Sequence, residues 1–210
     1  MATLLHIQAS PRGEESFSLR TAEAFLESYL ESNPGDRVKT LDLFADTIPE
    51  FGLEVARGKY KILHGLEQTQ EEKQAWQVVE EAIAQFTGAD KLLISAPMWN
   101  FHLPYRLKQY IDVIVQPGYT FSYSPEEGYT GLTTGRPAML ILARGGEYPA
   151  GTDASALDFQ QPYLECILGF IGFTDIRTIV VEPTLQSGPE MAEQKLAEAA
   201  AKARGAAKSF

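Results

Sequence analysis

Short apolar runs that alternate with segments of helical period constrain this chain more than any other feature of its sequence. Two runs, Leu92–Ile94 and Met139–Leu142, are apolar at successive positions, which is typical of strands buried on both faces of a parallel sheet. Five runs have the length of strands: Thr3–Gln8, Arg37–Leu43, Lys91–Ala96, Ala138–Ala143 and Ile176–Val181. Apolar residues at three- and four-residue spacing predict helices near residues 19–33, 76–87, 104–114, 160–171 and 189–204.

This alternation predicts an α/β fold, a doubly wound five-stranded parallel sheet with helices on both faces. The strand order that fits is 2-1-3-4-5, which places a ligand at the carboxyl ends of the strands beside the switch point. With 210 residues, no repeat and no linker, the chain is expected to form a single domain, residues 1–210. Two segments exceed the minimal unit: residues 44–72, with room for a short helix, and residues 116–135, an aromatic-bearing hairpin or loop.

The charge balance and the cysteine count argue against several classes of function. Eighteen basic and 28 acidic residues give a net charge of −10, which disfavours nucleic acid and anionic membrane surfaces because both are bound through basic residues. No segment has the length of a membrane span or a signal peptide, so a cytoplasmic protein is expected. The single cysteine, Cys166, excludes an internal disulfide, and its apolar surroundings favour a packed thiol. His6, His64 and His102 have no metal-ligand spacing, and no metal site is predicted.

The loop after the first strand carries hydroxyl groups suited to a phosphate. Ser10, Ser16 and Ser18, with Phe17 between the last two, precede or open the first predicted helix. Hydroxyls and the free N–H groups of a helix N-terminus together form a binding site for a phosphate dianion. The loop matches neither the Gly-x-Gly-x-x-Gly pattern nor a P-loop. The alternative is that Ser16 or Ser18 only caps the helix.

Large apolar residues follow the third strand, where Pro97 ends the ladder because it has no N–H. Met98, Trp99 and Phe101 lie at the mouth of the predicted sheet, and Asn100 offers both a donor and an acceptor to the edge of a heterocycle. The pattern predicts the wall of a pocket for a flat aromatic ligand. A hydrophobic plug that caps the core is the alternative.

A third loop, Ala143-Arg144-Gly145-Gly146, follows the fourth strand. Its paired glycines allow backbone N–H groups to approach a ligand closely and permit unusual φ/ψ, and Arg144 adds positive charge. An ordinary turn with a solvated arginine is the alternative. His102, in the second loop, is a candidate proton donor, although a packed or surface histidine would explain it equally simply. The three loops are expected to converge at one edge of the sheet.

At these residues the sequence resembles the FMN-dependent azoreductase family, quinone and azo-dye reductases of flavodoxin-like fold. The resemblance extends in order over nearly the whole chain. The matching pieces are Ser10, Ser16-Phe17-Ser18, Ala96-Pro97-Met98-Trp99-Asn100-Phe101, Pro104, Leu107-Lys108, Ile111-Asp112, Arg144-Gly145-Gly146 and Leu168-Gly169-Phe170-Ile171-Gly172-Phe173.

The resemblance implies one FMN per subunit, with its phosphate at Ser10 and Ser16–Ser18 and its isoalloxazine between Met98–Phe101 and Ala143–Gly146. Trp99 stands where the family often has Tyr, and Ala143 where it often has Ser. The implied activity is two-electron, ping-pong hydride transfer from NADH or NADPH to quinones, or to azo bonds, which are cleaved to amines. No protein nucleophile is needed, since the flavin carries the chemistry.

The resemblance also implies a homodimer with the substrate pocket at the subunit interface. The aromatic residues of segment 116–135, Phe121 and Tyr123 with Tyr119 and Tyr129, are candidates for that pocket, which would take small aromatic acceptors. Cross-strand packing within a hairpin is the alternative for each. The alternative function is a flavodoxin-type electron carrier without its own organic substrate, and the two extra segments weigh against it.

Overall fold

A computed structural model describes residues 1–210, and its central feature is a parallel sheet of five strands in the order β2-β1-β3-β6-β7. The other two strands, β4 and β5, pair as an antiparallel hairpin. Without the hairpin, this order is the predicted 2-1-3-4-5. The strands are β1 (Thr3–Gln8), β2 (Arg37–Asp42), β3 (Lys91–Pro97), β4 (Phe121–Ser124), β5 (Gly128–Gly131), β6 (Pro137–Ala143) and β7 (Asp175–Val181).

Six α-helices connect and cover the strands, and they include all five that the periodicity predicts. The additional helix, α2, lies in segment 44–72, where room for a helix is expected. The helices are α1 (Phe17–Ser32), α2 (Leu53–Leu63), α3 (Gln70–Thr87), α4 (Tyr105–Ile114), α5 (Gln161–Ile171) and α6 (Gly188–Ala207). None of them combines the length and the apolar character that a membrane crossing requires.

The sheet is buried on both faces, which explains the strands that are apolar at successive positions. Leu92 and Ile94 of β3 point into a cluster formed with α3, α4 and α5, whereas Leu93 points into a second cluster formed with α1 and α6. Helices therefore cover the sheet on both of its faces. Cys166 lies on the outer side of α5 and is exposed, so the prediction of a packed thiol is wrong: in α5 it is Leu164 and Leu168 that face the core.

Segment 116–135 forms the aromatic hairpin that the sequence left open against a loop. It is anchored where α5 ends: a Cβ on Gly131 would collide with the backbone of Ile171 and Gly172, and the Thr133 Oγ1 hydroxyl donates to the Ile171 carbonyl at 2.6 Å. Gly172 ends α5 with φ 116°, a left-handed conformation that favours glycine. The hairpin therefore packs at the C-terminal end of α5, away from the carboxyl edge of the sheet.

Candidate functional site

The three loops predicted to converge leave adjacent strands at the same edge of the sheet. In the parallel register Gln8 of β1 lies beside Ser95 of β3, and Pro97 lies beside Ala143 of β6. The Met98 N–H donates to the Ala143 carbonyl at 2.8 Å and extends this pairing into the loops. The topology thus joins the serine loop, the turn after β3 and the glycine loop at the carboxyl edge, where α/β sheets bind ligands.

The serine loop presents buried hydroxyls and unpaired backbone donors at the start of α1. Ser16 is the N-cap, because its Oγ accepts from the Leu19 N–H at 3.4 Å and lies 3.1 Å from the Ser18 Oγ. Ser10, Ser16 and Ser18 are buried, while the N–H groups of Phe17 and Ser18 find no acceptor within the chain. The capping role of Ser16 is confirmed, and the remaining donors suit an oxygen-rich anion.

The turn after β3 holds two residues in the left-handed region. The N–H and carbonyl of Trp99 exchange hydrogen bonds of 2.9 Å with those of His102, so that Asn100 and Phe101 form the tip of a two-residue turn. Asn100 has φ 48° and Phe101 has φ 66°. Asparagine tolerates positive φ, but phenylalanine adopts it at a cost of about 1–2 kcal/mol. Both side chains are exposed at the carboxyl edge of the sheet. Strained backbone conformations of this kind cluster at functional sites in proteins.

Trp99 and His102 are partly buried beside this tip. The Trp99 ring packs against Phe44 and Tyr105, with centroids 5.7 and 6.4 Å away. His102 accepts the Leu103 N–H on Nδ1 at 2.7 Å and packs 5.1 Å from the Tyr163 ring. In the neutral ring the proton must therefore lie on Nε2. An open cleft of about 590 Å³ adjoins the turn. Its lining includes Phe51, Trp99, Asn100, His102, Tyr105 and Lys108.

The glycine loop approaches another part of the chain very closely. The Gly145 carbonyl accepts from the N–H groups of Leu185 and Gln186, at 3.1 and 3.0 Å. A Cβ on Gly145 would lie 3.2 Å from Leu185 Cδ1, and one on Gly146 would lie 3.3 Å from Gln186 Oε1. Neither glycine has a positive φ, so the limited room beside Leu185 and Gln186, and not an unusual φ/ψ, favours glycine at these positions. Their N–H groups have no acceptor within the chain and remain available to a ligand.

The structure changes the role expected for Arg144. Its guanidinium is buried, lies 2.8 Å from the Asp158 carboxylate and 3.4 Å from the Glu182 carboxylate, and donates from Nε to Gln160 at 3.2 Å. Two acidic groups balance the charge inside the protein, because burial of an unpaired guanidinium would be costly. Arg144 is therefore neither a solvated residue nor a free positive charge at the site.

The structure does not bring Phe121 and Tyr123 to the three loops of their own chain. Phe121 packs 4.8 Å from Phe170 in the last turn of α5, and Tyr123 pairs with Tyr129 across the hairpin at a centroid distance of 5.0 Å. The site loops instead contact the residues just before α5. Within one chain, the cross-strand alternative therefore describes Tyr123, whereas Phe121 packs most closely against α5.

Several residues at the site edge were missing from the sequence prediction. Phe44 lies two residues after the end of β2 and so had a detectable signal, a large aromatic residue near a strand's carboxyl end. Tyr148 and segment 158–160 had no detectable signal in the sequence, because their contacts with the loops join residues that are distant in sequence.

Comparison with known proteins agrees with the fold and with the resemblance. A family model described as flavodoxin-like fold matches residues 2–206. The chain is 53% identical over 210 residues, all of both chains, to an FMN-dependent NADH:quinone oxidoreductase of Nitratidesulfovibrio vulgaris strain Hildenborough. It is 36% identical over 211 residues to FMN-dependent NADH:quinone oxidoreductase 1 of Bacillus subtilis, again across both whole chains.

Two solved structures show the same similarity. An azoreductase from Bacillus anthracis strain Sterne has a TM-score of 0.91 and 34% identity, with complete coverage of both chains. An FMN-dependent NADH-azoreductase from Bacillus anthracis strain Ames Ancestor, solved in complex with FMN, has a TM-score of 0.90 and 29% identity, covering 100% of this chain and 99% of that one. The resemblance inferred from the sequence is confirmed.

Proposed function

The chain belongs to the FMN-dependent NADH:quinone oxidoreductases of flavodoxin-like fold, and from this premise we propose that it uses bound FMN to transfer two electrons from NADH to quinones and to azo compounds, which it cleaves to amines. The observation that carries the proposal is the pair of unpaired N–H groups in each of two loops that flank a strained turn. One pair, with three buried hydroxyls, suits a phosphate, and the other suits the carbonyl oxygens of a heterocycle.

These residues fit FMN at both of its ends. Ser10, Ser16 and Ser18, with the N–H groups of Phe17 and Ser18, would hold the phosphate, while the exposed Arg12 guanidinium lies 3.6 Å from the Glu15 carboxylate. A helix N-terminus provides partial positive charge for such an anion. The phosphate subsite thus depends on backbone and hydroxyl donors.

The ring end would lie between two sets of side chains and backbone groups. Met98, Trp99, Asn100 and Phe101 would form the wall and edge contacts, while Ala143 and the N–H groups of Gly145 and Gly146 would face the pyrimidine edge. Donors fixed in place stabilise negative charge that develops at that edge. When bound, FMN supplies hydride transfer in a ping-pong order, accepting from NADH or NADPH and delivering to the organic acceptor.

The chain itself contributes few groups for proton transfer. His102 would donate from Nε2, since Nδ1 is occupied by the Leu103 N–H. A His102→Gln variant that keeps wild-type rates across the pH range would show that solvent supplies the proton instead.

The direct test is an FMN titration followed by turnover. The purified protein should be yellow or become so with FMN, and it should oxidise NADH with 1,4-benzoquinone and decolorise methyl red. Parallel assays with NADPH measure the donor preference. A protein that binds FMN but turns over neither acceptor would contradict the enzymatic role and favour an electron carrier, and a protein that binds no FMN would contradict the whole proposal.

We also propose that the functional unit is a homodimer in which the hairpin of one copy completes the pocket of the other. Its support is that Tyr123 and Tyr129 are 63% and 66% exposed and lie away from their own site loops. Sedimentation velocity should give twice the 23.2 kDa chain mass. Mixing Tyr123→Ala with Phe101→Gly, if each alone is inactive, should restore about a quarter of the activity through mixed dimers. A monomer, or no recovery, would contradict this arrangement.

A further inference from the structure

Three consecutive residues just before α5, Asp158-Phe159-Gln160, contact two of the three site loops, the turn after β3 and the glycine loop. We call these residues the bridge segment. The Phe159 N–H donates to the Phe101 carbonyl at 3.0 Å, at the tip of the strained turn. Asp158 and Gln160 both contact the Arg144 guanidinium of the glycine loop. No other segment outside the sheet makes polar contacts with both loops.

The arginine in this arrangement reaches four side chains from a buried position. Besides Asp158 and Gln160, its guanidinium contacts Gln161 and Glu182, each at 3.4 Å. Only a planar fork with several donors can reach partners in these different directions at once, and a lysine ammonium could hold one or two. These four contacts therefore depend on the planar shape of the Arg144 guanidinium as well as on its charge.

Asp158 and Gln160 also contact the elements that surround Arg144. One oxygen of Asp158 accepts the N–H groups of Gln160 and Gln161, at 2.9 and 3.1 Å, at the start of α5, and the other oxygen faces Arg144 at 2.8 Å. Gln160 is fully buried, and its Nε2 donates to the Ala96 carbonyl at 3.5 Å, near the end of β3. The bridge segment thus links α5, β3 and the glycine loop.

A ring contact joins the same two loops a second time. Tyr148 lies edge-on to Phe101 at a centroid distance of 6.4 Å, and the Arg144 guanidinium lies 5.7 Å from the centre of the Tyr148 ring. The turn residue with φ 66° is therefore held by its own carbonyl and by its side chain. Strained conformations of this kind persist only where surrounding contacts over-determine them.

We propose that Arg144, Asp158 and Gln160 are positioning residues that hold the turn after β3 and the glycine loop at a fixed separation, so that the groups facing the flavin ring are in place before FMN binds. This inference rests on the proposed function, since it assigns the separation to FMN. Rigid support of this kind lowers the ordering cost of ligand binding and keeps donors aimed at the ring edge.

Asp158→Asn isolates the bridging contact from the helix cap. The asparagine Oδ1 still accepts the N–H groups at the start of α5, but its amide presents donors to a guanidinium that needs an acceptor. Arg144→Lys keeps the charge and removes the fork. Gln160→Met removes the hydrogen bonds of the Gln160 amide with Arg144 and with the Ala96 carbonyl, and it does not change the charge. It provides a further test of the proposal if either of the other variants does not fold. Asp175→Asn, which disrupts an exposed Arg–Asp pair of the same 2.8 Å length at the start of β7, is the control for loss of such a pair away from the site.

The first readout is FMN affinity, measured by quenching of flavin fluorescence. Asp158→Asn and Arg144→Lys should each weaken it about tenfold, the usual scale for loss of a supporting contact. With saturating FMN, kcat should fall while KM for NADH changes little, and the visible circular dichroism of the bound flavin should change. In the FMN-free protein, hydrogen exchange in peptides covering residues 99–102 and 144–146 should become faster. Asp175→Asn should leave all four readouts at their wild-type values.

Three results would contradict the inference, and they can be told apart. If the wild-type protein binds FMN and the folded bridge variants bind it within twofold of wild type with unchanged exchange, the inference is wrong and the proposed function stands. If Arg144→Lys matches wild type while Asp158→Asn does not, charge balance replaces positioning as the explanation. A wild-type protein that binds no FMN removes the proposed function, and the inference with it.

Discussion

The turn tip at Asn100 and Phe101 shows how a single residue can conflict with its backbone. Both have positive φ, which suits Asn100 and is unfavourable for Phe101. The hydrogen bonds of Trp99 with His102, and of the Phe101 carbonyl with Phe159, maintain the conformation. The aromatic ring is therefore displayed at the site at a cost in stability.

A pair of substitutions at Phe101 measures this cost. Phe101→Val and Phe101→Asn both remove the ring, but a β-branched residue is a strong outlier at φ 66° whereas asparagine is tolerated. We expect the valine variant to be less stable than the asparagine variant by about 1–2 kcal/mol in urea unfolding of the FMN-free protein. Equal stabilities would mean that the turn relaxes.

His6 is a second residue in conflict with its surroundings. It lies in the middle of β1, where Nε2 is 2.9 Å from the Ser95 hydroxyl and Nδ1 has no partner. Burial lowers the pKa of His6 to about 4, because the charged ring would be desolvated. The unfolded chain, with an ordinary pKa near 6.5, then binds more protons than the folded one between pH 6.5 and 4.

The consequence is a loss of stability on acidification. The contribution of His6 is present above pH 6.5 and is lost as the pH falls toward 4, by about 2 kcal/mol between pH 7 and pH 5. The free energy of unfolding of His6→Gln should fall less over that interval than that of the wild-type protein, with other titrations common to both. Parallel pH profiles of the two proteins would contradict this assignment.

At the scale of elements, the contact between the hairpin and α5 depends on two glycines. Gly131 has no room for a Cβ against Ile171 and Gly172, and Gly172 ends the helix. The motif around Gly172, part of the family resemblance, therefore has a structural explanation: it terminates α5 and receives the hairpin.

Two alanine substitutions should act in opposite directions. Gly131→Ala should destabilise the protein by about 1–3 kcal/mol, because the added methyl group must push the hairpin from α5. Gly169→Ala, in the last turn of α5 with nothing within 4 Å of its Cβ, should stabilise it by up to about 1 kcal/mol. Thermal unfolding of both variants provides the comparison. A neutral Gly131→Ala would indicate that the hairpin shifts freely.

For the whole molecule, the net charge of −10 opposes the approach of the anionic ligands that the proposed function requires. Salt screens this repulsion over about 10 Å at 0.1 M. In stopped-flow fluorescence we expect the association rate constant for FMN to rise between 20 and 200 mM NaCl. Riboflavin, which lacks the phosphate, should show little change. A rate constant for FMN that falls with salt would mean that the local potential at α1 overrides the net charge.

The sequence by itself determined the α/β class, the strand order, the five covering helices and the edge where the loops meet. These depend on hydrophobic period and on strand crossovers, which are local or topological properties. It also indicated the serine, Asn100 and glycine groups, because loops at the carboxyl ends of adjacent strands must be neighbours.

Only the tertiary structure decided where the charge of Arg144 goes, how closely Gly145 and Gly146 approach Leu185 and Gln186, and that Phe121 and Tyr123 lie away from their own site. The expectations for Arg144 and Cys166 changed for the same reason: partners and exposure are set by packing between distant segments. Asp158 and Glu182 lie 14 and 38 positions from Arg144, and no periodicity in the sequence records a pairing across such separations.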